Sequence, residues 1–97
     1  MKKYFFLKLI PPRPTFVQDM TEEERKIMKE HQVYWQGLTQ KGYSVVYGPV
    51  LDPKGAYGVG IIVVDSDDQV NELISRDPAN GLNFYEAYPM LAVLPEK

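Results

Sequence analysis

The chain has 97 residues, of which 44% are hydrophobic and 25% are charged, and its formal net charge is −2. A chain of this length forms one domain, residues 1–97, with the composition of an ordinary globular protein. The acidic balance argues against a nucleic-acid partner, which requires a basic face to neutralise phosphates. The absence of cysteine excludes disulfides and thiolate chemistry and is compatible with a cytoplasmic protein.

The first predicted element is a strand over residues 3–10, KYFFLKLI, which is aromatic and apolar. Lys8 interrupts this short apolar run and prolines follow it, so we expect a strand here and not a signal peptide. No segment reaches the length that spans a bilayer, so no membrane partner is expected. Residues 11–20 contain three prolines and are predicted to form a loop.

Residues 21–42 are predicted to form a helix. Thr21 and Glu24 have the spacing of a capping box at its start, and Gly42 suits the left-handed residue just after its end. The helix has one largely apolar face, whose residues recur every three or four positions: Ile27, Met28, His31, Tyr34, Trp35 and Leu38.

The rest of the chain alternates between strands and a second helix. Ser66 and Gln69 repeat the capping-box spacing, Asp77-Pro78 ends that helix, and Pro89 predicts an edge strand or a bulge. The predicted elements are a strand over 43–50, a turn over 51–58, a strand over 59–65, a helix over 66–76, a loop over 79–83 and a strand over 84–94.

The element order β-α-β-β-α-β predicts a ferredoxin-like α+β fold, a four-stranded antiparallel sheet with two helices on one face. Its strands are apolar at consecutive positions, as in YFFL, IIVV and MLAVL, and do not alternate with polar residues. Both sheet faces therefore need to be covered, but two helices cover only one. We expect a homodimer in which two sheets pack face to face.

His31, the single histidine, is the first candidate for chemistry. A histidine on an apolar helix face is either a core residue with a satisfied hydrogen bond or a general base. Asp77 stands at a helix C-terminus, where the helix dipole disfavours a carboxylate, so it either begins a turn or has a partner such as His31. One histidine and scattered carboxylates do not have metal-ligand spacing, so no metal site is expected.

Three segments, MTEEERKIMKEHQVYWQGLTQKG, YGPVLDPKGAYG and SDDQVNELISRDP, together resemble the YciI-like (YCII-related) family. The resemblance implies a dimeric α/β barrel, built from two ferredoxin-like subunits, with a His-Asp active site at His31 and Asp77. The PANGLNF segment that follows Asp77 departs from relatives that carry bulkier apolar residues there, and this leaves the substrate open.

The resemblance implies a lyase or isomerase that removes a proton from a small molecule and uses no cofactor. His31 is then the base and Asp77 orients its ring. Arg13 is a candidate anchor for a carboxylate or phenolate, although we favour an ordinary exposed arginine because no partner motif accompanies it. The candidate pocket residues are Trp35, Tyr47, Gly48 and Pro49, each of which also fits a purely structural role.

A non-catalytic small-molecule binding or sensor module remains the alternative function. In such a protein, His31 and Asp77 are ligand contacts or form a structural hydrogen bond. The sequence does not give the distance between them, and therefore leaves both functions open.

Overall fold

The computed structural model describes residues 2–96, so both end residues of the predicted domain, 1 and 97, lie outside the described residues. None of the helices in the described part of the chain is long and apolar enough to cross a bilayer. The elements are β1 (Lys3–Ile10), α1 (Phe16–Asp19), α2 (Glu22–Gln40), β2 (Ser44–Val50), β3 (Tyr57–Val64), α3 (Asp67–Ser75) and β4 (Phe84–Met90).

The four strands form one antiparallel sheet in the order β2-β3-β1-β4. This order and the two long helices confirm the predicted ferredoxin-like α+β fold. β1 is central, and its Leu7 lies opposite Gly60 of β3 on one side and Ala87 of β4 on the other. Pro89 lies on β4, an edge strand, as its lack of an N–H donor predicts.

The inner face of the sheet, which faces the helices, contains the core. Phe5, Leu7 and Leu9 of β1 alternate with less buried residues, and so do Ile62 and Val64 of β3. The strands therefore alternate in burial although they do not alternate in polarity. The core cluster consists of Phe5, Leu7, Trp35, Leu38, Ile62, Val64 and Val70.

The ends of α2 agree with the sequence prediction. The Thr21 hydroxyl accepts from the Glu24 backbone N–H at 3.1 Å, and the Glu24 carboxylate accepts from the Thr21 backbone N–H at 2.9 Å. Gly42, just after the helix, has a φ of 87°, a backbone angle that residues other than glycine rarely adopt.

The capping box predicted for α3 is wrong. Ser66 is the N-cap residue, but its side chain makes no capping hydrogen bond. The Gln69 side chain instead accepts from the backbone N–H of Asp65 at 2.6 Å, one residue earlier than a capping box requires. The sequence spacing alone does not distinguish these two partners.

The segment 11–20, predicted to be a loop, contains the one-turn helix α1. The Thr15 hydroxyl donates to the Asp19 carboxylate at 2.6 Å, and Phe16 is buried under the turn. Both Arg13, before α1, and Asp19, at its end, belong to an ion-pair cluster with Glu24 at the start of α2. These local contacts stabilise a helical turn in a segment whose three prolines had predicted a loop.

The last strand is shorter than predicted and ends at Met90, not at 94. Met90 lies opposite Tyr4, next to the first residue of β1, so later residues have no strand to pair with. The apolar side chains of Leu91 and Val93 are almost fully exposed.

Gly60 allows the close packing of Trp35 on the sheet. A Cβ at position 60 lies 2.5 Å from Cη2 of the Trp35 ring, closer than carbon atoms pack. Trp35 is buried, so its ring has little room to move away.

We expect Gly60→Ala to lower the free energy of unfolding by about 1–3 kcal/mol, the usual cost of overpacking. Because about 1 kcal/mol corresponds to about 4–8 °C in a domain of this size, thermal unfolding followed by circular dichroism measures the loss. Gly37→Ala is the control, since nothing lies within 4 Å of its Cβ position and alanine favours a helix. An unchanged Tm for Gly60→Ala contradicts the packing argument.

Candidate active site

A cavity of about 290 Å³ lies between the inner sheet face and the helices α1 and α2. Its wall is mainly apolar and aromatic, and the inner face of β3 contributes glycines at positions 58 and 60, which have no side chain to fill the space. The lining residues are Leu7, Leu9, Pro11, Phe16, Val17, Met20, Met28, His31, Gln32, Trp35, Tyr47, Gly48, Pro49, Ala56, Tyr57, Gly58, Val59, Gly60, Asn83 and Tyr85.

His31, which lines the cavity, is in direct contact with Asp77, which lies behind the cavity wall. The His31 Nδ1 atom lies 2.8 Å from Oδ2 and 3.0 Å from Oδ1 of Asp77. The Asp77 side chain is fully buried, whereas 15% of the His31 side chain is exposed. An ionised carboxylate only accepts hydrogen bonds, so Nδ1 carries a proton and Nε2 is the lone-pair nitrogen of the neutral ring.

The Asp77 carboxylate also accepts three further hydrogen bonds. The Trp35 Nε1 donates to Oδ2 at 3.1 Å, and the Tyr85 hydroxyl donates to the same oxygen. The backbone N–H of Ala79 donates to Oδ1 at 2.8 Å. A buried carboxylate is tolerated because its oxygens are satisfied in this way.

These hydrogen bonds determine the ionisation of the cluster. Burial alone raises the pKa of Asp77, but the hydrogen bonds from His31, Tyr85 and the Ala79 N–H outweigh burial, and the pKa is lowered. Burial and the adjacent carboxylate raise the pKa of the Tyr85 hydroxyl, so it stays protonated as a donor. The cluster therefore contains an ionised carboxylate and a neutral phenol at neutral pH.

The structure brings together six of the seven site residues predicted from the sequence. Asp77 lies behind His31 and is not part of the cavity wall. The five predicted residues that line the cavity are His31, Trp35, Tyr47, Gly48 and Pro49.

Arg13, the seventh candidate, lies outside the cavity wall. Its guanidinium donates to both Glu24 carboxylate oxygens, at 2.7 and 3.0 Å, and to Asp19 at 2.7 Å. These interactions raise the pKa of Arg13 further and lower the pKa of Glu24 to about 2. In this structure Arg13 fastens α1 to α2 and does not face the cavity.

The polar residues of the cavity wall that the sequence prediction missed include Asn83 and Tyr85. Tyr85 lies on the inner face of β4, opposite Leu9, but a strand pattern does not reveal which polar group a tyrosine meets. Asn83 stands in a predicted loop, where asparagine is common. No sequence signal distinguished either residue from a structural one.

The described residues, 2–96, contain no group of three or more histidine, cysteine, aspartate or glutamate side chains that is able to hold a metal ion. The potential ligands near the cavity are His31 and Asp77, which bind each other.

The chain is thus an α+β protein in which a histidine of an apolar cavity is paired with a buried aspartate. The chain belongs to the YCII-related domain family, whose model matches residues 4–93. None of the curated proteins compared with it matches this chain.

Two solved structures share the fold. Protein TM1266 from Thermotoga maritima, described as uncharacterized, has a TM-score of 0.61 at 10% identity, over 94% of this chain and 100% of that one. The dehydrochlorinase TftG from Burkholderia phenoliruptrix AC1100, which acts on 5-chloro-2-hydroxyhydroquinone, was solved with 2,5-dihydroxybenzoquinone. It has a TM-score of 0.56 at 21% identity, over 84% of this chain and 90% of that one.

We expect Asp77→Asn to lower the free energy of unfolding by about 1–3 kcal/mol at neutral pH, because charged hydrogen bonds within a buried cluster are lost. The folded-state pKa of Asp77 is lowered, so its stabilisation is complete above its ordinary pKa and is lost as the pH falls through the folded value. The difference between native protein and variant therefore shrinks below about pH 4. Urea unfolding at several pH values measures it.

The matched control is Asp68→Asn, which changes an exposed carboxylate in the first turn of α3. Its effect is limited to about 0.3–1 kcal/mol of helix-dipole energy. A difference between native protein and Asp77→Asn that stays constant from neutral to acid pH contradicts the assigned role of the ionised carboxylate.

Proposed function

We propose that this protein is a cofactor-independent lyase or isomerase that removes a proton from carbon in a small cyclic molecule. The observation that carries this proposal is the position of His31, whose ring contacts a buried carboxylate through Nδ1 and also lines the cavity. A base with one oriented nitrogen and one lone-pair nitrogen is the arrangement that general-base catalysis needs.

In the proposed reaction, His31 Nε2 takes a proton from a carbon next to a carbonyl group. The electron pair of the broken C–H bond moves towards the carbonyl oxygen and forms an enolate or phenolate. Return of the proton to another atom gives isomerisation, and loss of a leaving group gives elimination. Asp77 keeps the proton on Nδ1 and stabilises the imidazolium, and its lowered pKa keeps it ionised throughout.

The cavity favours a small, flat ligand without a permanent charge. Of the described residues that line it, none is lysine, arginine, aspartate or glutamate. Trp35 and Tyr47 form a tilted aromatic pair in its wall, with ring centroids 5.7 Å apart. Apolar walls with few polar groups are typical of sites for small organic molecules. TftG, which shares the fold, acts on a ring compound, and we propose the same class for this chain.

The proposal predicts that the protein accelerates the elimination of 5-nitrobenzisoxazole, a flat neutral probe. In this reaction a base removes a carbon-bound proton, the N–O bond breaks and a coloured phenolate forms. We expect His31→Ala to lower the rate by about 10²–10⁴-fold, the usual contribution of a general base. Asp77→Asn also lowers the rate, because an amide does not fix the productive tautomer as an anion does.

The control variant is Lys29→Ala, an exposed position on α2 next to Met28, for which we expect the native rate. Circular dichroism shows that each variant is folded. If the native protein and His31→Ala convert the probe at the same rate, His31 is not a base and the non-catalytic binding module becomes the better description.

We also propose that two copies of the chain pair through the outer sheet face, which is the side away from the helices. Its exposed apolar residues support this pairing, since exposed patches of this kind mark interaction sites. Val46, Phe84 and Tyr88 are 58%, 64% and 50% exposed. The apolar residues of this face include Tyr4, Phe6, Ile10, Val46, Val59, Ile61, Val63, Phe84, Tyr88 and Met90, and the face also carries Lys8 and Glu86, which lie opposite each other.

Light scattering at micromolar concentration is expected to give twice the mass of one chain for the native protein. Ile61→Lys places a charge opposite Phe6 at the centre of the outer sheet face and is expected to give the mass of one chain. Val33→Lys, at an exposed position on α2, is the control and retains the native mass. A monomeric native protein contradicts the pairing.

A further inference from the structure

Asn83 is a buried residue of the cavity wall. It stands just before β4, lines the cavity and is 5% exposed. Its Nδ2 atom donates two hydrogen bonds, one to the Ala79 carbonyl oxygen and one to the Met28 sulfur, each at 3.3 Å. Neither of these bonds involves the carboxylate cluster around Asp77.

The orientation of this amide follows from its partners. The Ala79 carbonyl only accepts hydrogen bonds, so the NH₂ end of the Asn83 side chain faces it. The second N–H then has only a thioether sulfur, which is a weak acceptor. A buried donor without a good acceptor is costly, and a ligand oxygen in the cavity satisfies it better.

Met28 links Asn83 to the helix face that carries the proposed base. Met28 precedes His31 by three residues on α2, and side chains at this spacing are neighbours on one helix face, about 5–6 Å apart at Cβ. Asn83 contacts Met28, and all three residues line the cavity. The backbone N–H of Asn83 also bonds to Ala79, which fixes the loop.

We propose that Asn83 binds the ligand oxygen that gains negative charge when His31 removes a proton. On ligand binding, one Nδ2–H leaves the Met28 sulfur and donates to this oxygen, while the other stays on the Ala79 carbonyl. A fixed donor at this point stabilises the enolate or phenolate without a cation. The ligand class is therefore a carbonyl or phenol compound whose oxygen lies close to the reacting carbon. This assignment rests on the proposed function.

The test compares the affinities of two probes of similar shape for the full-length protein. One is 4-nitrophenolate, at a mildly alkaline pH at which it is ionised, and the other is nitrobenzene, which lacks the phenolate oxygen. We expect Asn83→Leu to weaken 4-nitrophenolate binding by about 10- to 100-fold, the usual range for one hydrogen bond to a charged group. Nitrobenzene binding is expected to change by less than about 2-fold.

A second variant, Asn83→Ser, covers the case in which Asn83→Leu does not fold. Serine is polar but shorter than asparagine, so we expect its hydroxyl not to reach the ligand oxygen and the same selective loss to follow. Equal losses for both probes indicate a structural role and overturn the assignment. Unchanged affinity for 4-nitrophenolate, or no binding of it by the native protein, overturns it as well.

This experiment is separate from the test of the proposed base. Binding of 4-nitrophenolate requires no proton transfer, whereas the elimination assay with His31→Ala tests a step that requires one. The two tests can have different outcomes. If His31→Ala leaves the elimination rate unchanged while Asn83→Leu selectively weakens 4-nitrophenolate binding, the protein has the Asn83 site but does not carry out the proposed reaction.

Discussion

The buried carboxylate of Asp77 connects α2, β4 and the loop after α3. It receives hydrogen bonds from His31 and Trp35 of α2, from Tyr85 of β4 and from the backbone of Ala79. An ionised group inside a protein is stable only when such donors replace water. The carboxylate therefore fixes α2 and β4 relative to the loop after α3, and it fixes the tautomer of the only histidine.

The same contacts shape the cavity. Trp35 reaches Asp77 through its indole nitrogen, and its ring then lies over the backbone of Gly60. A side chain at position 60 displaces that ring, so glycine is required where the carboxylate cluster meets the sheet. Packing, charge burial and the form of the cavity are consequently coupled, and one substitution in β3 affects all of them.

The sequence predicts the strands, both long helices and their order, because these depend on local patterns. It also suggests the pairing of His31 with Asp77, from the unfavourable position of a carboxylate at a helix end and from the family resemblance. The distance between His31 and Asp77 depends on how the helices pack across the sheet, and a local sequence pattern does not predict this packing. The contacts of Tyr85 and Asn83 depend on the same long-range geometry. The helix α1 was missed because it lies in a proline-rich segment and is stabilised by side-chain contacts of Arg13 and Thr15 with Asp19, which a local pattern does not reveal.

The position of Arg13 has a consequence for the chemistry of the cavity. Its guanidinium binds Asp19 and Glu24 and fastens α1, whose Phe16 forms part of the cavity wall. The cation is used to hold the wall in place and is not available to bind a ligand anion. In the proposed reaction, negative charge that develops on a ligand is then stabilised by neutral donors and by the imidazolium formed at His31. A ligand that enters uncharged and becomes anionic only during proton transfer fits this arrangement better than one that carries a permanent carboxylate.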